Sequence, residues 1–172
     1  MAFVEPVTLT SRGVSLVPLT LAHEEGLRAA AADGELWKLR VTSVPEPRDT
    51  RGYIEAALAM REAGNRLAFA VTDTATGTVL GTTSYHDILA AVKRVEIGYT
   101  WYARRCQRTH VNTTCKLMLL GHAFEACNAI AVEFRTHWHN RQSREAIARL
   151  GAKQDGVLRN HRWDRKPASW SG

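Results

Sequence analysis

The sequence predicts an α/β fold in a single domain, and three observations carry that reading. Stretches that alternate with the period of a strand are interleaved with stretches whose apolar residues recur at helical spacing. A chain of 172 residues favours one domain large enough to bury a core. At 45% hydrophobic and 23% charged residues, the composition is that of an ordinary globule.

The elements follow in order. GVSLVPLT (13–20) reads as a first strand with imperfect alternation. Residues 19–33 read as a helix capped by Thr20, with Leu21, Leu27 and Ala31 as its buried stripe. Residues 34–48 form a loop ending in two prolines, in which Trp37 either plugs the core edge or lines a substrate mouth. A second helix is expected over 49–64, begun by Asp49 or Thr50 and ended by Gly64. Residues 65–88 read as a hairpin: Leu67, Phe69 and Val71 alternate, TATG turns and VLGTTSY returns. KRVEIGYTWY (93–102) is a third strand beside it. Residues 113–127 predict a helix with Leu117, Leu120, Phe124 and Cys127 on one face. A strand over 129–138, a helix over 140–151 closed by Gly151, and a strand over 156–163 complete the pattern. The segment 164–172 is a short tail, with Trp170 as a possible anchor.

A formal net charge of +6 and an isoelectric point near 9.6 favour anionic partners. The Lys and Arg residues are scattered, which speaks against direct nucleic-acid binding as the main function. Cys106, Cys115 and Cys127 match no zinc spacing, and no metal site is expected; His137 and His139, two apart on a strand, are the one conceivable metal pair. The start MAFVEPVTLT has no signal-like run and no stretch approaches membrane-spanning length, so a cytoplasmic protein without membrane contact is expected.

Where strand 94–102 meets the helix beginning near Thr113, the chain reads ARRCQRTHVNTT. The first N–H groups of a helix lack internal partners and its dipole favours negative charge, so a diphosphate can sit there. Arg104, Arg105 and Arg108 add charge, and Thr109, Asn112 and Thr113 add short polar contacts. Neither GxxxxGK[ST] nor GxGxxG is present. From composition alone, a solvated turn remains the other reading.

The stretches RVEIGYTWYARRCQRTHVNTTCKLMLLGHAFE and FRTHWHNRQSREAIARLGAKQDGVLRNH, in that order and spacing, resemble the GNAT superfamily of acetyl-CoA-dependent N-acetyltransferases. The closer likeness is to the branch containing the ribosomal-protein N-terminal acetyltransferases, and it extends to about residue 163. The resemblance implies a mixed, mostly antiparallel sheet with splayed central strands flanked by helices. It implies acetyl-CoA as cofactor, with the diphosphate on Gln107, Arg108, Thr109, His110, Val111, Asn112 and Thr113. His110 and Asn112 stand where the family pattern [QR]xxGx[GA] has glycine and a small residue, and this departure bears on how closely the backbone approaches phosphate. The pantetheine arm would pair with the backbone of Ile97, Gly98, Tyr99 and Thr100, and Trp101 lies beside them. Gly98 would leave room for the thioester, or serve as a bulge or packing glycine. Asn140 and Ser143 would approach the cofactor arm, and Asn140 is also an ordinary helix cap.

Acetyl transfer requires a neutral amine, so a proton must leave it. By resemblance Glu96 is the base, and partial burial would suit it to the task; the other reading is a surface glutamate paired with Arg94 or Lys93. Where many relatives carry a tyrosine to protonate the thiolate, this chain has Ile147, which leaves Tyr99, Ser143, Cys106 or water as donors. Trp37, Tyr85, His86 and Trp138 are expected to line the acceptor pocket, with Glu35, Glu46 and Asp87 attracting the amine. The expected reaction is direct transfer to a protein or peptide N-terminal α-amine. A small-molecule amine (amino acid, polyamine or aminoglycoside) and an inactive CoA-binding module are the alternatives. An abbreviated C-terminus would expose a sheet edge that a second copy could cover, making a homodimer possible.

Overall fold

The computed structural model describes residues 3–39 and 43–161. The chain divides into two compact units, Met1–Arg135 and Thr136–Gly172. The first is a six-stranded sheet in the order β1-β2-β3-β4-β5-β6, from β1 (Leu9–Ser11), β2 (Val14–Pro18), β3 (Arg66–Asp73), β4 (Val79–Leu89), β5 (Arg94–Tyr102) and β6 (Ala131–Glu133). Neighbours are antiparallel from β1 to β5, and β6 joins β5 in parallel. Helices α1 (Glu24–Ala32), α2 (Thr50–Glu62) and α3 (Val111–Gly121) belong to this unit.

Local sequence accounts for several boundaries. A reciprocal Thr20/His23 capping box opens the first helical segment, which begins as a 3-10 turn before α1. Gly64, at φ +74°, ends α2 in the left-handed conformation, with the Asn65 N–H reaching back to the Met60 carbonyl. In the hairpin turn, Asp73 Oδ1 accepts from the N–H groups of Ala75 and Thr76 and from the Thr76 hydroxyl, and these bonds hold its carboxyl below the usual range.

Strand alternation puts Leu67, Phe69, Val71 and Tyr85 on the α3 side of the sheet, where the Tyr85 hydroxyl donates to the Leu119 carbonyl at 2.5 Å. Arg66, His86 and Glu96, directly opposite one another on β3, β4 and β5, share the other side, where Tyr53 of α2 meets the Arg66 guanidinium at 3.0 Å. Among the core residues, Leu16, Leu27, Ile54, Phe69 and Leu119 are fully buried.

Several expectations are corrected. The helix expected over 113–127 begins at Val111, ends at Gly121 and continues as a π turn over His122–Ala126. Its buried face is Val111, Cys115, Leu119 and Ala123, whereas Leu117 and Phe124 are exposed. The apolar residues outnumber those one face can hold, so periodicity alone picked the wrong stripe. Leu21 is likewise exposed, while Leu27 and Ala31 are buried as expected. The strand expected over 129–138 shrinks to Ala131–Glu133. An additional short strand, Leu9–Ser11, precedes the first expected one and pairs with it across a turn at Arg12 and Gly13, both at positive φ. No strand forms over 156–161, and the remainder of that expected strand, with Trp170, lies outside the described residues.

In the second unit, α4 (Arg141–Arg149) is capped by Asn140, whose Oδ1 accepts from the Ser143 N–H at 3.1 Å. Gly151 follows at φ +86°. No helix among the described residues is long and apolar enough to cross a membrane.

Candidate active site

β5 and β6 pair only from Arg94↔Ala131 to Glu96↔Glu133. From Ile97 onward the β6-facing edge of β5 has no strand partner among the described residues. Along its other edge β5 carries a bulge. Ser84 faces Gly98 and Thr82 faces Trp101, so Tyr99 and Thr100 together oppose Thr83. Tyr99 takes up the extra length at φ +48°. Open backbone groups on an otherwise buried strand are costly unless something pairs with them.

On the side away from α3, four charged or titratable groups converge. His86 Nε2 is 3.5 Å from Glu96 Oε1, and His86 Nδ1 is 3.5 Å from Asp87 Oδ1. Asp87, at φ +45°, turns its carboxylate back toward the ring of His86. Arg135 bridges the carboxylates of Glu96 and Asp87. Glu96 is 2% exposed and His86 4% exposed, so Glu96 is buried rather than a solvated partner of Arg94 or Lys93, while Asp87 and Arg135 reach the surface. Arg94 instead pairs with Glu133 at 3.3 Å. Burial holds the His86 imidazolium below its usual pKa, against the opposing pull of Glu96 and Asp87, so the ring is neutral at pH 7. The ligand atoms of His86, Asp87 and Glu96 lie within 4.8 Å of one another, a grouping of the kind metals use; here Arg135 provides the cation between the two carboxylates.

Gly98 has a specific steric reason. A Cβ built there would lie 2.3 Å from His86 Nε2. The glycine lets the imidazole approach β5 closely, while the Tyr99 ring meets His86 edge-on at 5.0 Å. Tyr99 also lies under the Arg66 guanidinium, 3.9 Å from the ring centroid. The packing-glycine alternative for Gly98 therefore has a partner, His86, that sequence inspection did not supply.

At the far end of β5 the chain turns through residues 103–110 into α3. The Thr109 hydroxyl accepts from the Val111 N–H and donates to the Cys106 carbonyl. Thr114 N–H makes the first helical bond, to the His110 carbonyl, and the N–H groups of Asn112 and Thr113 meet no protein acceptor among the described residues. His110 replaces the family glycine without strain: its backbone is ordinary helical (φ −67°) and its Nε2 turns aside to the Arg12 carbonyl at 3.1 Å. The residue at positive φ is Arg108, at +60°. Arg104, Arg105 and Arg108 are all exposed, and Arg105 is tied to Asp33 at 3.1 Å. Two free amides, a helix dipole and exposed arginines fit a diphosphate.

Tyr85, expected at the acceptor mouth, is fully buried on the α3 side; an alternating strand that holds His86 on one face must put Tyr85 on the other. Trp37 is half-buried against the core in a short 3-10 turn. Glu35 pairs with Lys38 and Glu46 with Arg48. Trp138, Asn140 and Ser143 belong to the second unit, where the Arg144 guanidinium covers the exposed Trp138 ring at 3.9 Å. The rings of His137 and His139 lie tilted to each other with centroids 5.3 Å apart, and His137 Nδ1 accepts the His139 N–H. Burial raises the thiols of Cys106, Cys115 and Cys127, which makes them poor nucleophiles. Sequence reasoning missed Arg135 as the partner of Glu96 and Asp87 as the partner of His86 and Arg135, and it missed Lys116 altogether. Lys116 was legible only as a lone cation among apolar residues in CKLMLL.

Comparison with known proteins identifies the fold and the family. The model of an acetyltransferase (GNAT) domain matches residues 14–153. A GCN5-related N-acetyltransferase from Brucella melitensis is 25% identical with a TM-score of 0.81, covering 94% of this chain and 74% of that one. The microcin C7 self-immunity acetyltransferase MccE, solved in complex with acetyl-CoA and AMP, is 18% identical with a TM-score of 0.75, covering 90% and 87%. A ribosomal-protein-S5-alanine acetyltransferase from Vibrio fischeri is 14% identical with a TM-score of 0.70, covering 87% and 85%. A search of curated proteins returned no match.

Proposed function

The chain belongs to the GNAT acetyltransferase family, whose members are acetyl-CoA-dependent acyltransferases acting on amines, and from that premise we propose that it acetylates the N-terminal α-amine of a protein or peptide. Acetyl-CoA supplies an activated acetyl group on a thioester. The amides of Asn112 and Thr113, with Arg108, hold its diphosphate, and the open edge of β5 from Ile97 to Thr100 receives the arm. N–H groups on that edge would bond the carbonyl oxygen as charge develops on it.

The observation that carries the choice of acceptor is the buried His86–Glu96 pair beside Gly98. His86 is neutral and weakly basic, held so by burial. A protein α-amine has a pKa of roughly 8, against about 10.4 for a lysine-type amine. A weak base can deprotonate the first at neutral pH far more readily than the second. His86 and Glu96 take the amine's proton, and Arg135 and Asp87 fix the orientation of both. The sequence likeness to the ribosomal-protein branch supports the same acceptor.

The test is incubation with acetyl-CoA and a mixed library read by mass spectrometry. The library holds peptides with free N-termini, N-blocked lysine peptides, amino acids, polyamines and aminoglycosides. Acetylation at peptide α-amines is expected. Products confined to the small amines would overturn the acceptor assignment, and release of no thiol with any amine would leave only a CoA-binding module.

A further inference from the structure

Lys116 is a buried cation that the reaction so far does not use. It lies on the second turn of α3 with only 6% of its surface exposed. Its Nζ donates to the Thr100 hydroxyl of β5 at 2.8 Å. On its other side it lies 5.6 Å from the ring centroid of Phe134, the residue immediately after β6. The amine therefore touches both walls of the opening between β5 and the chain leaving β6. No carboxylate pairs with it among the described residues. A buried ammonium without an acid nearby is costly, and proteins keep such groups where they have chemical work.

Its side of the sheet is informative. The Thr100 hydroxyl meets Thr83 at 2.8 Å, and Thr83 and Tyr85 face α3. His86 and Glu96 occupy the opposite face. A nucleophile delivered from the His86–Glu96 side leaves the departing group to be met from the α3 side. Ile147, at the position where relatives carry an acidic tyrosine, has no proton to give.

We propose that Lys116 is the proton donor to the departing thiolate of CoA. As the C–S bond breaks, its electron pair goes to sulfur and Lys116 Nζ gives a proton to form the S–H. The amine's own proton leaves on the opposite face to His86 or Glu96. An ammonium substrate loses two protons by that face, one before attack and one after it, and Lys116 recovers one from water once the thiol dissociates, so the net products are the acetylated amine, the thiol and one released proton. Burial brings the Lys116 ammonium down to about 7, so its proton is transferable at neutral pH. The inference rests on CoA binding and is independent of which amine is acetylated.

The test uses the full chain and free CoA, with no acceptor. The ultraviolet absorbance of the thiolate is followed against pH for CoA bound to wild type and to Lys116→Met, with binding of each checked by calorimetry. The thiol and Lys116 titrate as one coupled pair, in which a thiolate keeps the proton on the amine, so the thiolate of wild type is expected to appear at least about one pH unit below that of the variant. A second readout is the alkaline limb of kcat/KM, expected in wild type and absent in Lys116→Met. Identical thiol titrations in the two proteins would overturn the assignment. Failure of wild type to bind CoA would remove the cofactor site as well, whereas a wrong acceptor would leave the titration unaffected.

Discussion

Replacing Lys116 by methionine deletes one charge while nearly preserving side-chain length and flexibility, so it isolates what burying that charge costs. Desolvation lowers the Lys116 ammonium from 10.5 to about 7. Between those values the unfolded chain holds a proton that the folded chain has released. Stability therefore rises with pH across the window and is lowest at its acid end. A difference of about 3.5 pH units corresponds to roughly 5 kcal/mol at 1.36 kcal/mol per unit, an upper bound because the protein relaxes around the charge. Integrated from pH 7 to pH 9, the wild-type gain from this one group is about 2 kcal/mol. Methionine has no such dependence and is expected to be the more stable protein at pH 7. Urea unfolding of both proteins at pH 7 and pH 9, followed by circular dichroism with m held as a check, measures it. The wild-type change minus the variant change cancels every other titrating group. Equal pH slopes, or a variant that is less stable at pH 7 with unchanged m, would refute the reasoning.

Gly98→Ala forces a Cβ to within 2.3 Å of His86 Nε2. The buried ring must shift, so a loss of about 1–3 kcal/mol in urea unfolding is expected, with kcat falling alongside it. Glu96→Gln keeps the shape but removes the carboxylate facing His86 and Arg135; a drop of about 10²–10⁴ in kcat/KM is expected, and full rate across pH would exclude Glu96 from proton transfer. Asn140→Ala removes the cap on the Ser143 N–H and should cost about 1 kcal/mol, read as an earlier thermal or urea transition.

The sequence by itself determined the class of fold, the β3–β4–β5 meander and the turn into α3. Those features depend on local codes: alternation in Leu67, Phe69 and Val71, the Asp73 turn, and the polar run 107–113 at a helix start. Resemblance added the family and pointed to Glu96. What only the tertiary structure decided is how residues far apart in sequence meet. Alternation says that Tyr85 and His86 face opposite ways, but not which face receives α3, so both were expected at the acceptor, and packing buries Tyr85 against α3. Helical spacing in residues 113–127 offered more apolar residues than one stripe can bury, and packing chose Cys115 and Leu119 over Leu117 and Phe124. The Arg135 bridge between Asp87 and Glu96, the fit of His86 against Gly98, and the burial of Lys116 between β5 and Phe134 all span separate strands or helices. Such contacts follow from register and layer packing, which no short window of sequence encodes.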